Sequence, residues 1–176
     1  MVIFLSYLRL SYLCFCLFTL PCCANLVQET IYLTWQQSPT TTMTIQWISS
    51  RQEKQSVVNY RLLKEGVNEW TKITGEVFPF PHASQYLLHR VELKNLQSNT
   101  EYAFTVLPNN EEYHFITAPA QIDKDLRFVV GGDMYHDGLS FLVKTCQKAA
   151  QTNPLFALLG GDIAYAVKSR SFGFQQ

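Results

Sequence analysis

The tripeptide Gly-Gly-Asp occurs at Gly131-Gly132-Asp133 and again at Gly160-Gly161-Asp162, each time closing an apolar run. The runs are Leu126-Arg127-Phe128-Val129-Val130 and Leu155-Phe156-Ala157-Leu158-Leu159, the pattern of strands buried on both faces. Between them apolar residues recur at positions 139, 142, 143, 146, 149 and 150, a helical period. Asp137 is placed to cap that helix and Asn153-Pro154 to stop it. The unit reads as strand, helix, strand, with the strands parallel. Each Asp then falls just past the carboxyl end of a strand, the edge where open α/β sheets hold ligands. Neighbouring strands lie about 4.8 Å apart, so Asp133 and Asp162 can converge on one site, and the glycines allow sharp turns and close backbone approach. Converging carboxylates repel and shift each other's protonation. A di- or trivalent cation removes that conflict. A single Asp in this position is commonly a helix cap, whereas two in the same register around one helix favour a metal site.

Tyr165 extends the second copy to Gly161-Asp162-Ile163-Ala164-Tyr165. This block resembles the Gly-Asp-x-x-Tyr block of purple acid phosphatases, members of the metallophosphoesterase superfamily. The resemblance implies that Asp162 bridges two metals, that the Tyr165 phenolate binds ferric iron (Fe3+), and that Asp133 binds the iron alone. A trivalent ion can ionise a tyrosine whose free pKa is about 10. The resemblance also implies a second divalent metal (Fe, Zn or Mn) in full-length relatives, and hydrolysis of a phosphate monoester near acidic pH. One departure is local. The family's Asp-x-Gly reads Asp133-Met134-Tyr135 here, with a bulky residue beside the metal loop. Other metallophosphoesterases use Asp-x-His, and His136 stands one position too far along for that match. His82, His89 and His114 have no metal-ligand spacing and read as surface or strand residues. The family's Asn-His-Asp/Glu, its later His and its final His-x-His have no counterpart after Tyr165. The expectation is the amino-terminal portion of a phosphomonoester hydrolase, inactive alone, with no catalytic residue assigned. The alternative is an exported binding or adhesion module with a vestigial catalytic tail.

The elements ahead of the metal motifs read as all-β. Met43-Thr44-Ile45-Gln46-Trp47-Ile48 alternates strictly. Further strands are expected at 31–35, 57–62, 70–73, 86–91, 102–106 and 112–116, mostly separated by polar, Gly or Pro clusters. About seven short strands at such spacing indicate a two-sheet sandwich. Leu93 to Tyr102 resembles the link before the sixth strand of a fibronectin type III-like sandwich. There Leu96 would plug the core and the Tyr102 hydroxyl would bond back to the backbone as a tyrosine corner. Purple acid phosphatases also place a fibronectin-like domain ahead of the catalytic one, with tryptophans as at Trp35 and Trp47 and a transition like Phe115-Ile116-Thr117-Ala118-Pro119. The expected organisation is a signal peptide over 1–24, a sandwich over 25–118, a linker over 119–125, and an incomplete metallophosphoesterase domain over 126–176.

Residues 1–24 read as a signal peptide. Arg9 is the only charge before Glu29, and an apolar stretch from Leu10 to Leu20 precedes Pro21-Cys22-Cys23-Ala24. That stretch has the length of a signal core and is too short to span about 30 Å of hydrocarbon. Cleavage after Ala24 and secretion (periplasmic or extracellular) are expected. Membrane contact would come only through the signal or through acylation at Cys23, where Pro21 fits a lipoprotein signal poorly. Removing 1–24 leaves Cys146 alone, with no intramolecular disulfide available. Its place on the helix's apolar positions reads as a buried small hydrophobe. Lys+Arg and Asp+Glu are 14 each, which gives no electrostatic case for nucleic acid. Oligomeric state is not legible.

Overall fold

The computed structural model describes residues 29–81, 83–123, 125–133 and 139–161. Eight antiparallel strands come first: β1 (Glu29–Thr34), β2 (Met43–Ser50), β3 (Val57–Leu62), β4 (Thr71–Thr74), β5 (Glu76–Pro79), β6 (Tyr86–Leu93), β7 (Glu101–Val106) and β8 (Glu112–Ile116). They form two four-stranded sheets, in the orders β1-β2-β6-β5 and β4-β3-β7-β8. This is the two-sheet sandwich expected from the spacing of the strands. β5 was not expected. It is a four-residue edge strand ending in Pro79, and its residues Glu76 and Phe78 pair with Arg90 and Leu88 of β6.

The pleat explains the core. Met43, Ile45 and Trp47 of β2 share one face with Val91 and Leu93 of β6. Across from them stand Val58 of β3, Tyr102, Phe104 and Val106 of β7, and Phe115 of β8; all are buried in one cluster. Phe115 is stacked on Tyr102 at 5.5 Å. β2 is also buried on its second face, where several polar side chains bond to one another. Thr34 Oγ1 donates to Gln46 Oε1 at 3.1 Å, Gln46 Nε2 donates to Tyr32 OH at 3.1 Å, and Thr44 Oγ1 donates to Glu92 Oε2. Burial beside this network raises the Tyr32 phenol above its ordinary value.

The corner before β7 is tied as expected. Leu96 is buried in the core, and the Gln97 backbone N–H donates to Tyr102 OH at 2.9 Å. Asn95 and Asn99 take positive φ (58° and 50°) in this turn, where Asn is one of the few side chains tolerated. Thr117, fully buried, completes the corner. Its Oγ1 donates to Gln97 O at 2.6 Å and accepts from the Thr100 N–H at 3.0 Å. The next residue, Ala118, donates its N–H to Pro39 O at 2.9 Å.

After the sandwich come β9 (Phe128–Gly131), α1 (Leu139–Ala150) and β10 (Phe156–Leu159). β9 and β10 pair in parallel, as the two apolar runs around one helical period require. Asn153, at φ 49°, ends the helical segment in the left-handed conformation just before Pro154, a common way to stop a helix. The expected burial on both faces does not hold. Val130 is 72% exposed and Phe141 64% exposed, and Leu158 and Leu159 are each 51% exposed. Cys146, expected to be buried, is exposed on α1. The described residues supply no layer that covers the apolar positions of the helix.

Candidate metal centre

Asp133 follows β9 at its carboxyl edge, as the sequence predicts. It is exposed and adopts φ 49°. Asp162 and Tyr165 lie outside the described residues, as do Asp137, the expected helix cap, and Tyr135, His136 and His82. Asp133 is therefore the one expected ligand with a described position. A carboxylate at an exposed strand end suits a hard cation as one oxygen donor among several. The described residues contain no group of three His, Cys, Asp or Glu side chains able to hold a metal.

The backbone around Asp133 shows why glycine precedes it. A Cβ at Gly132 would meet the Gly160 carbonyl oxygen at 2.3 Å, an approach only glycine tolerates. The Gly160 N–H donates to Gly131 O at 2.8 Å, carrying the ladder one residue beyond β10. The ladder also refines the expectation of matched carboxylates. Phe156 pairs with Phe128, an offset of 28 residues, and Leu159 with Gly131 at the same offset. The Gly-Gly-Asp copies, ending at Asp133 and Asp162, repeat at 29. The residue in register with Asp133 is thus Gly161, and it too has positive φ, 56°. Both chains leave the ladder at the same level through a left-handed residue, an Asp in one case and a Gly in the other. Asp162 follows one residue later.

Sequence reasoning missed what joins this unit to the sandwich. Trp35, just past β1, meets Phe156 edge-on at 5.6 Å, and Phe156 stacks on Phe128 at 5.1 Å. Arg127 Nη1 donates to Thr152 O at 2.7 Å and Leu155 N–H to Arg127 O at 2.8 Å, so the two strand starts are tied together. A crevice of about 1210 Å³ runs alongside, lined by Trp35, Glu101, His114, Arg127 and Phe156 among others. Asp133 does not line it. His114, read as a surface or strand residue, lies on β8 with its Nε2 3.0 Å from Glu112 Oε1. That contact, with Arg61 beside it, holds the Glu112 carboxyl below its ordinary range. His89, read the same way, is a strand residue but is fully buried.

Among known proteins, the family described as purple acid phosphatase, N-terminal domain, matches residues 28–117. No curated protein matches the chain. One solved structure similar to it is the sensor domain of the anti-sigma factor RsgI4 from Pseudobacteroides cellulosolvens. The identity is 15%, over 51% of this chain and 94% of that one, with a TM-score of 0.27, too low to support a common shape. The family match spans the whole sandwich, from before β1 to the buried Thr117, and exceeds half of the 176 residues. The chain therefore belongs to the purple acid phosphatase N-terminal domain family.

Proposed function

We propose that the chain is the amino-terminal part of a secreted, metal-dependent phosphomonoester hydrolase of the purple acid phosphatase type. The observation that carries this reading is a succession within one polypeptide. The family's N-terminal domain, at residues 28–117, is followed by a parallel strand–helix–strand unit with Asp133 at a carboxyl strand end. In this reading Asp133, Asp162 and Tyr165 belong to one metal site. Ferric iron held there would act as a Lewis acid on a phosphoryl oxygen. In this reading these three residues supply part of a shell, and the expected outcome is that the isolated chain hydrolyses no phosphate monoester. The exposed Val130, Phe141, Leu158 and Leu159 support the same reading, since a parallel sheet is stable only with both faces covered.

The test is a ferric titration of the purified chain, followed by visible absorption, with p-nitrophenyl phosphate turnover measured beside it. A tyrosinate-to-iron band that disappears in Tyr165→Phe and weakens in Asp133→Ala supports the site. Absence of any band, with a cooperatively unfolding sandwich, would favour the binding-module alternative. Turnover abolished by Asp162→Ala would overturn the inactivity of the isolated chain.

A further inference from the structure

His89, on β6, is fully buried. Its ring stacks on the Trp47 indole at 4.8 Å with only 5° between planes. Nε2 lies 2.7 Å from Ser49 Oγ on β2. Nδ1 is buried and has no hydrogen-bond partner among the described residues. A neutral imidazole needs one donor and one acceptor contact, whereas the protonated ring needs two acceptors. The site offers a single hydroxyl, so a proton on His89 leaves a buried N–H⁺ without an acceptor, a costly arrangement.

We propose that the Trp47–His89–Ser49 cluster is an acid-sensitive lock on the sandwich. Uptake of a proton by His89 loosens the β2–β6 seam, so the domain is tightest at neutral pH and opens as the pH falls. The surroundings offer little to offset that proton. β2 carries no ionisable side chain. On β6, Arg90 and Glu92 alternate to the opposite face. On β5, Val77 is the residue paired with His89, and Glu76 pairs with Arg90 on the far face. The facing sheet presents Val58, Phe104 and Val106 to the core, with phenols at Tyr60, Tyr102 and Tyr113. Lys72 of β4 pairs with Asn59, beside rather than in register with the inward Val58, and so lies on the outer face. In the turn after β2, Arg51 Nη1 donates to Ser84 O at 3.4 Å, and the Glu53 carboxylate accepts the Gln55 N–H at 2.8 Å. Burial pushes the His89 imidazole below its ordinary 6.5, and the Glu53 charge offsets only part of that. The Trp47 face attracts an imidazolium, yet it supplies no acceptor for Nδ1. In the unfolded chain the imidazole takes up its proton near pH 6.5, while in the fold it does so only at lower pH. The unfolded state therefore binds more protons in that window, and stability falls as pH drops from about 6.5.

The experiment compares thermal midpoints of the full chain at pH 7.5 and pH 5.0 with those of His89→Gln and His89→Phe. Wild type is expected to lose at least about 5 °C more than either variant over this interval. An equal loss in all three proteins overturns the proposal. Should neither variant fold, imidazole NMR of the wild type decides. A His89 resonance that stays neutral well below pH 6.5, and protonates together with loss of the native signals, supports the lock. Titration at or above pH 6.5 with native signals intact overturns it.

Discussion

In the sandwich, Ile45, Trp47, Leu93 and Phe104 are at most 1% exposed, whereas in β9, α1 and β10 the side chains of Val130, Phe141, Val143, Leu158 and Leu159 are at least 51% exposed. Both regions spend their apolar residues on regular elements with the correct period. They differ in whether, among the described residues, a second layer receives them. The sandwich folds two sheets onto each other and closes its own core. The strand–helix–strand unit relies on its ladder, the Gly132–Gly160 approach and the Trp35–Phe156–Phe128 contact. Periodicity thus sets which face is apolar, while stability depends on what meets that face.

Five substitutions rank and challenge this contrast. Trp47→Ala should cost about 3–5 kcal/mol of unfolding free energy, measured by urea denaturation followed by circular dichroism. The two crowded glycines come next. A Cβ at Gly75 would meet the Arg90 carbonyl oxygen at 2.0 Å, inside the sandwich, as one at Gly132 would meet that of Gly160. Gly75→Ala should lower global stability by about 1–3 kcal/mol. Gly132→Ala should instead raise amide hydrogen exchange in β9 and β10 and leave β2 and β6 protected. If both glycine variants unfold the whole chain alike, the two regions are one cooperative unit. Tyr102→Phe removes the acceptor for the Gln97 N–H and should cost about 1–2 kcal/mol, read from the same urea curves. Leu158→Ser should stay within about 0.5 kcal/mol, as exposed substitutions do. A cost near that of Trp47→Ala would mean that something covers β10 in solution.

Much of the sandwich was legible because its strands follow simple rules. The strict alternation of Met43 to Ile48 fixed β2, and the 57–62 run coincides with β3. β5 escaped because only Val77 and Phe78 are apolar in it and Pro79 reads as a breaker. His89 is a strand residue, as read, but its full burial was not legible, because that depends on its stacking partner Trp47 and its hydrogen-bond partner Ser49 on the neighbouring strand, the latter 40 residues away in sequence. At the candidate metal centre, the strand ends and the helix between them were readable, and α1 spans the expected positions. The stagger was not, because a tripeptide repeat fixes spacing along the chain, whereas hydrogen bonds fix register between strands.

The fastening of Thr117 bears on where this polypeptide can be cut. Thr117 Oγ1 satisfies the Thr100 N–H and the Gln97 carbonyl, and the Ala118 N–H closes onto Pro39. A chain ended at Ile116 would keep every strand of both sheets, yet strip partners from the loop that carries the tyrosine corner. The hydrogen bonds that tie this corner therefore reach Ala118, one residue past the end of the family match. A graft or fusion that keeps Thr117 and Ala118 keeps those bonds.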